Sequence, residues 1–264
     1  MLLPTKTVLL LIGGFGLLCA PAHAQKSFHV GPRVGFNMSS APYEDTDYYI
    51  NEYRSFRTRY RSGLEVGIQG SIGFGHLAVQ PALLFSQKGF RIQDTTGGTG
   101  LSTIQTVYDI SFRLNYLTLP LNLVYALWAD GQGFQAFAGP YVSWLVGGSY
   151  HQKLTQTFNG IVSPPTDYRR AVAGSGAYHT IDVNSVSENN YYSRRVDAGF
   201  QAGIGYRRGA FLGQASYSHG VSNLGVSFEY SNGSQVEGPV YKNRAFQASL
   251  SYFLLSKGGA PTTP

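Results

Sequence analysis

A strict alternation of apolar and polar residues constrains the fold of this chain more than any other feature, and it is clearest over residues 194–206. One face of that segment would carry Val196, Ala198, Phe200, Ala202, Ile204 and Tyr206. The other face would carry Arg195, Asp197, Gly199, Gln201, Gly203 and Gly205. Because successive side chains of a β-strand point to opposite sides, this period of two predicts a strand with one apolar and one polar side.

Residues 1–24 have the three parts of a cleavable secretion signal: Lys6, an apolar core over residues 8–18, and an Ala-His-Ala cleavage site over residues 22–24. The core is too short to span a membrane. A lipid anchor on Cys19 is the alternative, but Leu18 stands where such a signal needs a small residue. Cleavage would remove Cys19, the only cysteine, so we expect no disulfide, no cysteine-bound metal and no cofactor in the mature protein.

Export without a transmembrane helix, combined with alternating strands, predicts a closed β-barrel in the outer membrane of a Gram-negative bacterium. Only closure satisfies every backbone hydrogen-bonding group inside a bilayer. A soluble lipocalin-like barrel or sandwich would also give alternating strands. The polar faces, however, are rich in Gly, Gln, Ser and Asn and poor in Lys and Glu, which favours an enclosed interior over a surface in water.

Eight strands are predicted at about residues 28–37, 61–72, 77–88, 112–127, 134–146, 194–206, 210–220 and 242–254. Short connections near Gly73, Asp130 and Arg208 alternate with long ones over residues 38–60, 89–111, 147–193 and 221–241. This alternation is typical of an all-β, eight-stranded antiparallel up-and-down transmembrane β-barrel with short periplasmic turns and long extracellular loops. The barrel domain would cover residues 25–255, followed by a short polar tail over 256–264.

Five charged residues are predicted to point into the barrel: Arg33, Glu65, Lys88, Arg195 and Asp197. Buried charges are costly unless they pair, so the structural interpretation is a network of salt bridges. The functional interpretation is a narrow ion path. An eight-stranded barrel is just wide enough for side chains to fill it, which favours the filled interior.

The first long loop contains the candidate binding residues, which are Tyr48, Tyr49, Tyr53, Arg54, Phe56 and Arg57. Tyrosine and arginine are favoured in recognition surfaces. They are also ordinary where a barrel meets the lipid headgroups. The second interpretation is favoured, and binding is kept as a hypothesis.

His219 is the most plausible catalytic residue, because serines flank it at the end of the seventh strand. Two residues must be two positions apart to share a strand face, whereas Ser218 is adjacent and Ser222 is three away. We therefore predict no catalytic site. The other histidines show no ligand spacing, so no metal site is predicted.

The net charge of +6 is scattered along the chain. For an exported protein, this charge favours outer-membrane lipid and lipopolysaccharide as partners, and it argues against nucleic acid. We expect a monomer and leave the identity of a protein partner open.

Several segments carry a family resemblance: FHVGPRVGFN, LAVQPALLFSQKGF, LNYLTLPLNLVY, FAGPYVSWLVGG and VDAGFQAGIGY. In this order, over nearly all of the mature chain, they resemble the outer membrane protein beta-barrel domain of Bacteroidetes, the PorT family. The resemblance implies an eight-stranded outer-membrane barrel and a link to protein secretion across that membrane. The expected function is a non-enzymatic scaffold at the cell surface; the alternatives are a narrow passive channel and a rim-located lipid-modifying enzyme.

Overall fold

The computed structural model describes residues 26–47, 52–97, 104–181 and 190–257. Eight strands pair with one another in chain order: β1 (Lys26–Ser40), β2 (Thr58–Phe74), β3 (Leu77–Gly97), β4 (Ile104–Ala126), β5 (Gly133–Phe158), β6 (Val196–Arg208), β7 (Phe211–Gly220) and β8 (Arg244–Tyr252). The described residues also form the shorter strands Tyr43–Asp47, Glu52–Phe56, Ile161–Val162, Thr166–Ser175, Tyr178–Ile181, Asn190–Arg194, Ser227–Tyr230, Gln235–Val236, Val240–Tyr241 and Leu255–Lys257. Within the described ranges, no helix is both long and apolar enough to cross a membrane.

The pairing of β1 to β8 is antiparallel throughout. Each strand from β1 to β7 pairs with the next one along the chain. The last strand, β8, pairs with β1, so that Val34 lies opposite Val66 on one side and Leu250 on the other. The fold is the all-β arrangement of an outer-membrane β-barrel.

The alternation of the sequence becomes an alternation of exposure along each strand. On β4, Leu117, Leu119, Leu121 and Leu123 are between 42% and 56% exposed, while Thr118 and Asn122 between them are buried. On β5 the predicted outward set, which includes Phe134, Val142 and Trp144, is exposed as well. The predicted orientation of the strands is confirmed: an apolar band faces outward and polar side chains face inward.

Tight turns join the strands at one end of the fold. Gly75 is the first residue of the two-residue turn between β2 and β3, with a φ angle of 65°. Gly209 is the first residue of the two-residue turn between β6 and β7, with a φ angle of 60°. The residues that follow them have no positive φ, which is the backbone pattern of a type II′ hairpin. Glycine fits there because a residue with a Cβ is strained in this left-handed region.

Three of the connections predicted as long loops, over residues 38–60, 89–111 and 147–193, are in large part strand. β3 continues to Gly97 and β4 already begins at Ile104, with Ile92 opposite Ile110 and Thr96 opposite Thr106. β5 likewise runs on to Phe158, where the prediction placed its end near residue 146. The loop prediction over 89–111 and much of 38–60 and 147–193 was therefore wrong. Beyond the apolar band the outward face of the sheet is mostly polar, although Val107 is exposed on it, so the unbroken row of outward apolar residues that marked the strands ends there.

Candidate functional site

Polar side chains fill the inner face of the sheet, and the first group of them is an ion pair between β1 and β2. Arg33 Nη2 donates to Glu65 Oε1 at 3.2 Å, and both side chains are about 3% exposed. Arg33 Nη1 also donates to Gln69 Oε1 at 3.1 Å, and Ser86 Oγ donates to the second carboxylate oxygen of Glu65 at 3.2 Å. Each charge thus has a charged partner and a neutral one, as buried ions require.

A belt of amides continues from this pair toward the short turns. Gln80 is its centre, because its Oε1 accepts from Gln69 at 3.1 Å and from Gln214 at 3.0 Å. Its amide nitrogen donates to Gln135 at 3.3 Å. These glutamines belong to four different strands, β2, β3, β5 and β7. The sequence analysis recognised glutamine-rich inner faces without singling these residues out; the signal that identifies them is a glutamine at an inward position of one strand after another.

A second buried ion pair lies between Lys88 on β3 and Asp197 on β6. Lys88 Nζ is 3.2 Å from Asp197 Oδ2. Asn243 Nδ2 donates to the same carboxylate at 3.0 Å, and the Tyr141 hydroxyl donates to it at 3.4 Å. The Lys88 ammonium also sits over the Tyr141 ring, 4.4 Å from its centroid, and a cation in that position is attracted to the ring.

Arg195 is the member of the predicted interior set that the structure places elsewhere. Its side chain is exposed, its Nη2 donates to the Gly174 carbonyl at 2.9 Å, and its guanidinium lies 5.6 Å from the centroid of the Trp144 ring. The physical reason is a bend in the chain at this residue: β6 begins only at Val196. The alternation of β6 therefore does not extend back to Arg195.

An aromatic cluster covers the interior at the end opposite the tight turns; we call it the aromatic cap, and it consists of Tyr43, Phe90, Phe112, Tyr150, Tyr191 and Tyr241. Phe90 and Phe112 stack with centroids 4.5 Å apart, and Tyr43 stacks on Tyr241 at 5.5 Å. The Tyr241 hydroxyl donates to Ser193 Oγ at 2.8 Å. The sequence analysis did not predict this cap, because its rings come from segments spread along the whole chain.

Burial keeps the phenols of the aromatic cap neutral. Burial raises the pKa of Tyr150 to about 12, and it raises the pKa of Tyr191 and of Tyr241 as well. An uncharged aromatic layer thus lies above the interior ion pairs.

The candidate binding residues of the first long loop are described only in part. Tyr48 and Tyr49 lie outside the described residues, and Tyr53 and Arg54 lie on the strand Glu52–Phe56. Phe56 is half-buried and packs edge-on against Tyr43, with centroids 5.8 Å apart. Arg57 is exposed. The structure therefore places Phe56 at the aromatic cap, while Arg57 faces solvent.

His219 and its neighbouring serines do not form a catalytic arrangement in the structure. His219 is exposed on the outer face of β7, whereas Ser218 is buried on the inner face and Ser218 Oγ donates to the Ala245 carbonyl at 3.4 Å. Ser222 Oγ accepts from the Ala198 backbone N–H at 3.0 Å. Among the residues that the structure describes, no group of three or more His, Cys, Asp or Glu side chains is arranged to hold a metal ion.

Two of three comparisons with known proteins found similar proteins. The family model described as "Outer membrane protein beta-barrel domain" matches residues 23–226. Among solved structures, Ail of Yersinia pestis is similar at 10% identity with a TM-score of 0.35, over 88% of this chain and 99% of that one. OprG of Pseudomonas aeruginosa is similar at 11% identity with a TM-score of 0.36, over 88% of this chain and 96% of that one. No curated protein has a matching sequence.

Proposed function

Since the chain belongs to the family of the outer membrane protein beta-barrel domain, we propose that it is a closed eight-stranded barrel that serves as a non-enzymatic scaffold at the cell surface. The observation that carries the proposal is the contrast between the two faces of its strands. Apolar side chains form the outer face, while buried, mutually bonded polar side chains come from every one of the eight strands on the inner face. The outer face suits lipid, and the inner face suits a plug.

The proposal assigns the tight turns to the periplasm. It assigns the projecting strands, which are the parts of β3, β4 and β5 beyond the apolar band together with the strand Thr166–Ser175, to the outside of the cell. A matched pair of cysteine variants tests this orientation. Ser163→Cys lies in the exposed connection after β5, and Ala129→Cys lies in the exposed turn between β4 and β5. We expect a membrane-impermeant maleimide to label Ser163→Cys on intact cells and to label Ala129→Cys only after the cells are lysed. The reverse labelling pattern would show that the barrel has the opposite orientation in the membrane.

The filled interior argues against the channel. Arg33 is paired with Glu65 and Lys88 with Asp197, and the aromatic cap lies over them. We expect the folded protein in planar bilayers to give no discrete conductance steps. Conductance steps that appear with folded protein, and are absent with heat-unfolded protein from the same preparation, would show that the protein is a channel and overturn the scaffold proposal.

The rim enzyme is argued against by the opposite faces of His219 and Ser218. We expect cells that express the His219→Ala variant, the unchanged protein or the empty vector to have the same lipid A acyl pattern by mass spectrometry. A pattern that changes with the unchanged protein and reverts with His219→Ala would overturn the non-enzymatic assignment.

A role in protein secretion is the part of the proposal that rests on the resemblance to the PorT family of Bacteroidetes alone. In such a role the barrel would be the membrane anchor of a larger assembly, and its protein partner would contact the projecting strands. Co-purification from the native outer membrane tests this role. A stable protein partner would support the secretion role. A barrel that purifies alone as a monomer would contradict the secretion role and support a scaffold that acts without a partner.

A further inference from the structure

A basic groove lies among the projecting strands, beyond the apolar band. It encloses about 510 Å³, and six cations line it: Arg61, Arg91, Arg113, Lys153, Arg169 and Arg170. One carboxylate, that of Asp109, lines it as well. Such an excess of cations at one place stands out in a chain whose other charges are scattered.

The register of four neighbouring strands builds this groove. Arg91 on β3 lies opposite Ser111 on β4, Ser111 lies opposite His151 on β5, and His151 lies opposite Arg169 on the strand Thr166–Ser175. One row across the sheet therefore brings basic side chains together from segments that are distant in sequence. Arg113 is two residues from Ser111 on the same strand face, so it extends the row toward the membrane.

Arg61 reaches the groove from β2 across a glycine. Its Nη1 donates to Ser111 Oγ, and its Cδ lies 3.1 Å from the point where a Cβ on residue 89 would stand. Burial lowers the pKa of Arg61, and the nearby charges of Arg113 and Arg91 lower it further. The guanidinium is thus held among like charges, and an anion bound in the groove would relieve this repulsion.

The carboxylates beside the groove already have other partners. Asp109 Oδ2 accepts from Gln93 Nε2 at 3.3 Å, and Asp167 pairs with His151. The Asp167 carboxylate is bound by His151, whose hydrogen bond is the main cause of its lowered pKa. The six cations that line the groove therefore outnumber the carboxylates Asp109 and Asp167, and the groove keeps a net positive charge.

The height of the groove indicates the ligand. Arg113 is four residues beyond Leu117 on the outer face of β4, which is ~13 Å along a strand and ~10 Å along the membrane normal at a strand tilt of ~40°. Leu117 belongs to the apolar band. The basic groove thus lies at the level of the charged headgroups, just beyond the hydrocarbon region.

We propose that the basic groove binds the phosphate groups of lipopolysaccharide in the outer leaflet. Guanidinium groups bind phosphate through paired, charge-assisted hydrogen bonds, and a groove open to the side of the barrel admits a headgroup whose acyl chains lie on the apolar band. This inference rests on the orientation given under the proposed function, which places the groove on the extracellular side.

The experiment compares two double variants that remove the same charge. Arg91→Gln/Arg113→Gln changes the groove, and Arg208→Gln/Lys242→Gln removes two exposed cations away from it. Purified lipopolysaccharide is titrated into each folded protein in detergent, and binding is measured by native mass spectrometry. We expect binding by the groove variant to be weakened about ten- to hundredfold, since each lost charge-assisted contact costs roughly a factor of ten. The control variant is expected to bind like the unchanged protein.

Three results would overturn the proposal: equal binding by both double variants and the unchanged protein, equal weakening in both variants, or equal affinity for lipopolysaccharide and its enzymatically dephosphorylated form. Binding of inorganic phosphate to the unchanged protein, lost in the groove variant, without any binding of lipopolysaccharide would identify a free-phosphate site and overturn the lipid assignment. The labelling of Ser163→Cys on cells keeps the two failures apart, because it reports the orientation independently of binding.

Discussion

Removing Lys88 is expected to destabilise the fold strongly, because the negative charge of Asp197 would stay buried without its partner. Asp197 is fully buried, and in the absence of Lys88 it would keep only the neutral donors Asn243 and Tyr141. Breaking a buried ion pair on one side typically costs about 3–5 kcal/mol. We therefore expect Lys88→Met to lower the free energy of unfolding by about 3 kcal/mol, toward the low end of that range, since the two neutral hydrogen bonds remain.

A double variant separates the interaction energy of the Lys88–Asp197 pair from the effects of the two single substitutions. In Lys88→Met/Asp197→Asn both charges are removed, and the asparagine still accepts from Asn243. Replacing a buried pair by neutral groups is often close to neutral, so we expect the double variant to be more stable than Lys88→Met alone. The difference between the double variant and the sum of the single ones gives the coupling energy, which we expect to be about 2–3 kcal/mol for groups in direct contact.

Urea unfolding of the protein in lipid vesicles provides the measurement, with the fluorescence of Trp128 and Trp144 as the signal. Arg195→Met is the matched control: it removes a cation that the sequence predicted to be inside and that the structure shows to be exposed. We expect Arg195→Met to cost less than about 1 kcal/mol, as for an exposed cation–π contact and an exposed hydrogen bond. Additive effects of the Lys88 and Asp197 substitutions, or a cost for Arg195→Met equal to that of Lys88→Met, would refute this account of the interior.

Two further substitutions test the membrane-facing band and the turns. Leu121→Arg, at the centre of the apolar face of β4, should cost about 2–4 kcal/mol in vesicles and Leu117→Arg, nearer its edge, clearly less; equal costs by urea titration would contradict the position of the band. Gly209→Val forces a side chain into a φ of 60° and should cost about 1–2 kcal/mol. Gly213→Ala, where a Cβ would meet nothing within 4 Å, should leave the urea midpoint unchanged, and a similar loss in both glycine variants would show that strain at the turn is not the cause.

The strands and their faces could be predicted from sequence because lipid imposes a rule on every second residue. This alternation applies only to the strand segments that contact lipid. Arg91 and Asp109 lie on strands that continue beyond the apolar band, and the polar outward faces of these strand segments resemble a loop. The sequence analysis predicted Arg195 to point inward because it extended the alternation of β6 back across a bend. No glycine or proline at this position indicates that bend.

The interior partners could be predicted only as a set of charges. That Arg33 pairs with Glu65, and Lys88 with Asp197, depends on the register of strands and on the stagger of the ring, which alternation does not specify. The aromatic cap is even harder to predict from the sequence than the ion pairs are. Tyr43 and Tyr241 stack on each other from opposite ends of the barrel domain, and contacts of such long range leave no local pattern.

The aromatic cap predicts how the stability of the protein responds to alkaline pH. The pKa of Tyr150 is raised by burial to about 12, and the pKa values of Tyr191 and Tyr241 are raised as well, whereas an unfolded tyrosine ionises near pH 10. A group with a raised pKa in the folded state contributes stability that is fully present below its unfolded pKa and is lost as the pH rises through the folded pKa. We therefore expect the urea midpoint to fall between about pH 10 and pH 12, and Tyr150→Phe to reduce this fall, because phenylalanine keeps the ring and cannot ionise. Tyr178→Phe, at an exposed tyrosine, is the control and should leave the fall unchanged. An identical pH dependence in Tyr150→Phe and Tyr178→Phe would show that the buried phenol of Tyr150 does not couple ionisation to folding.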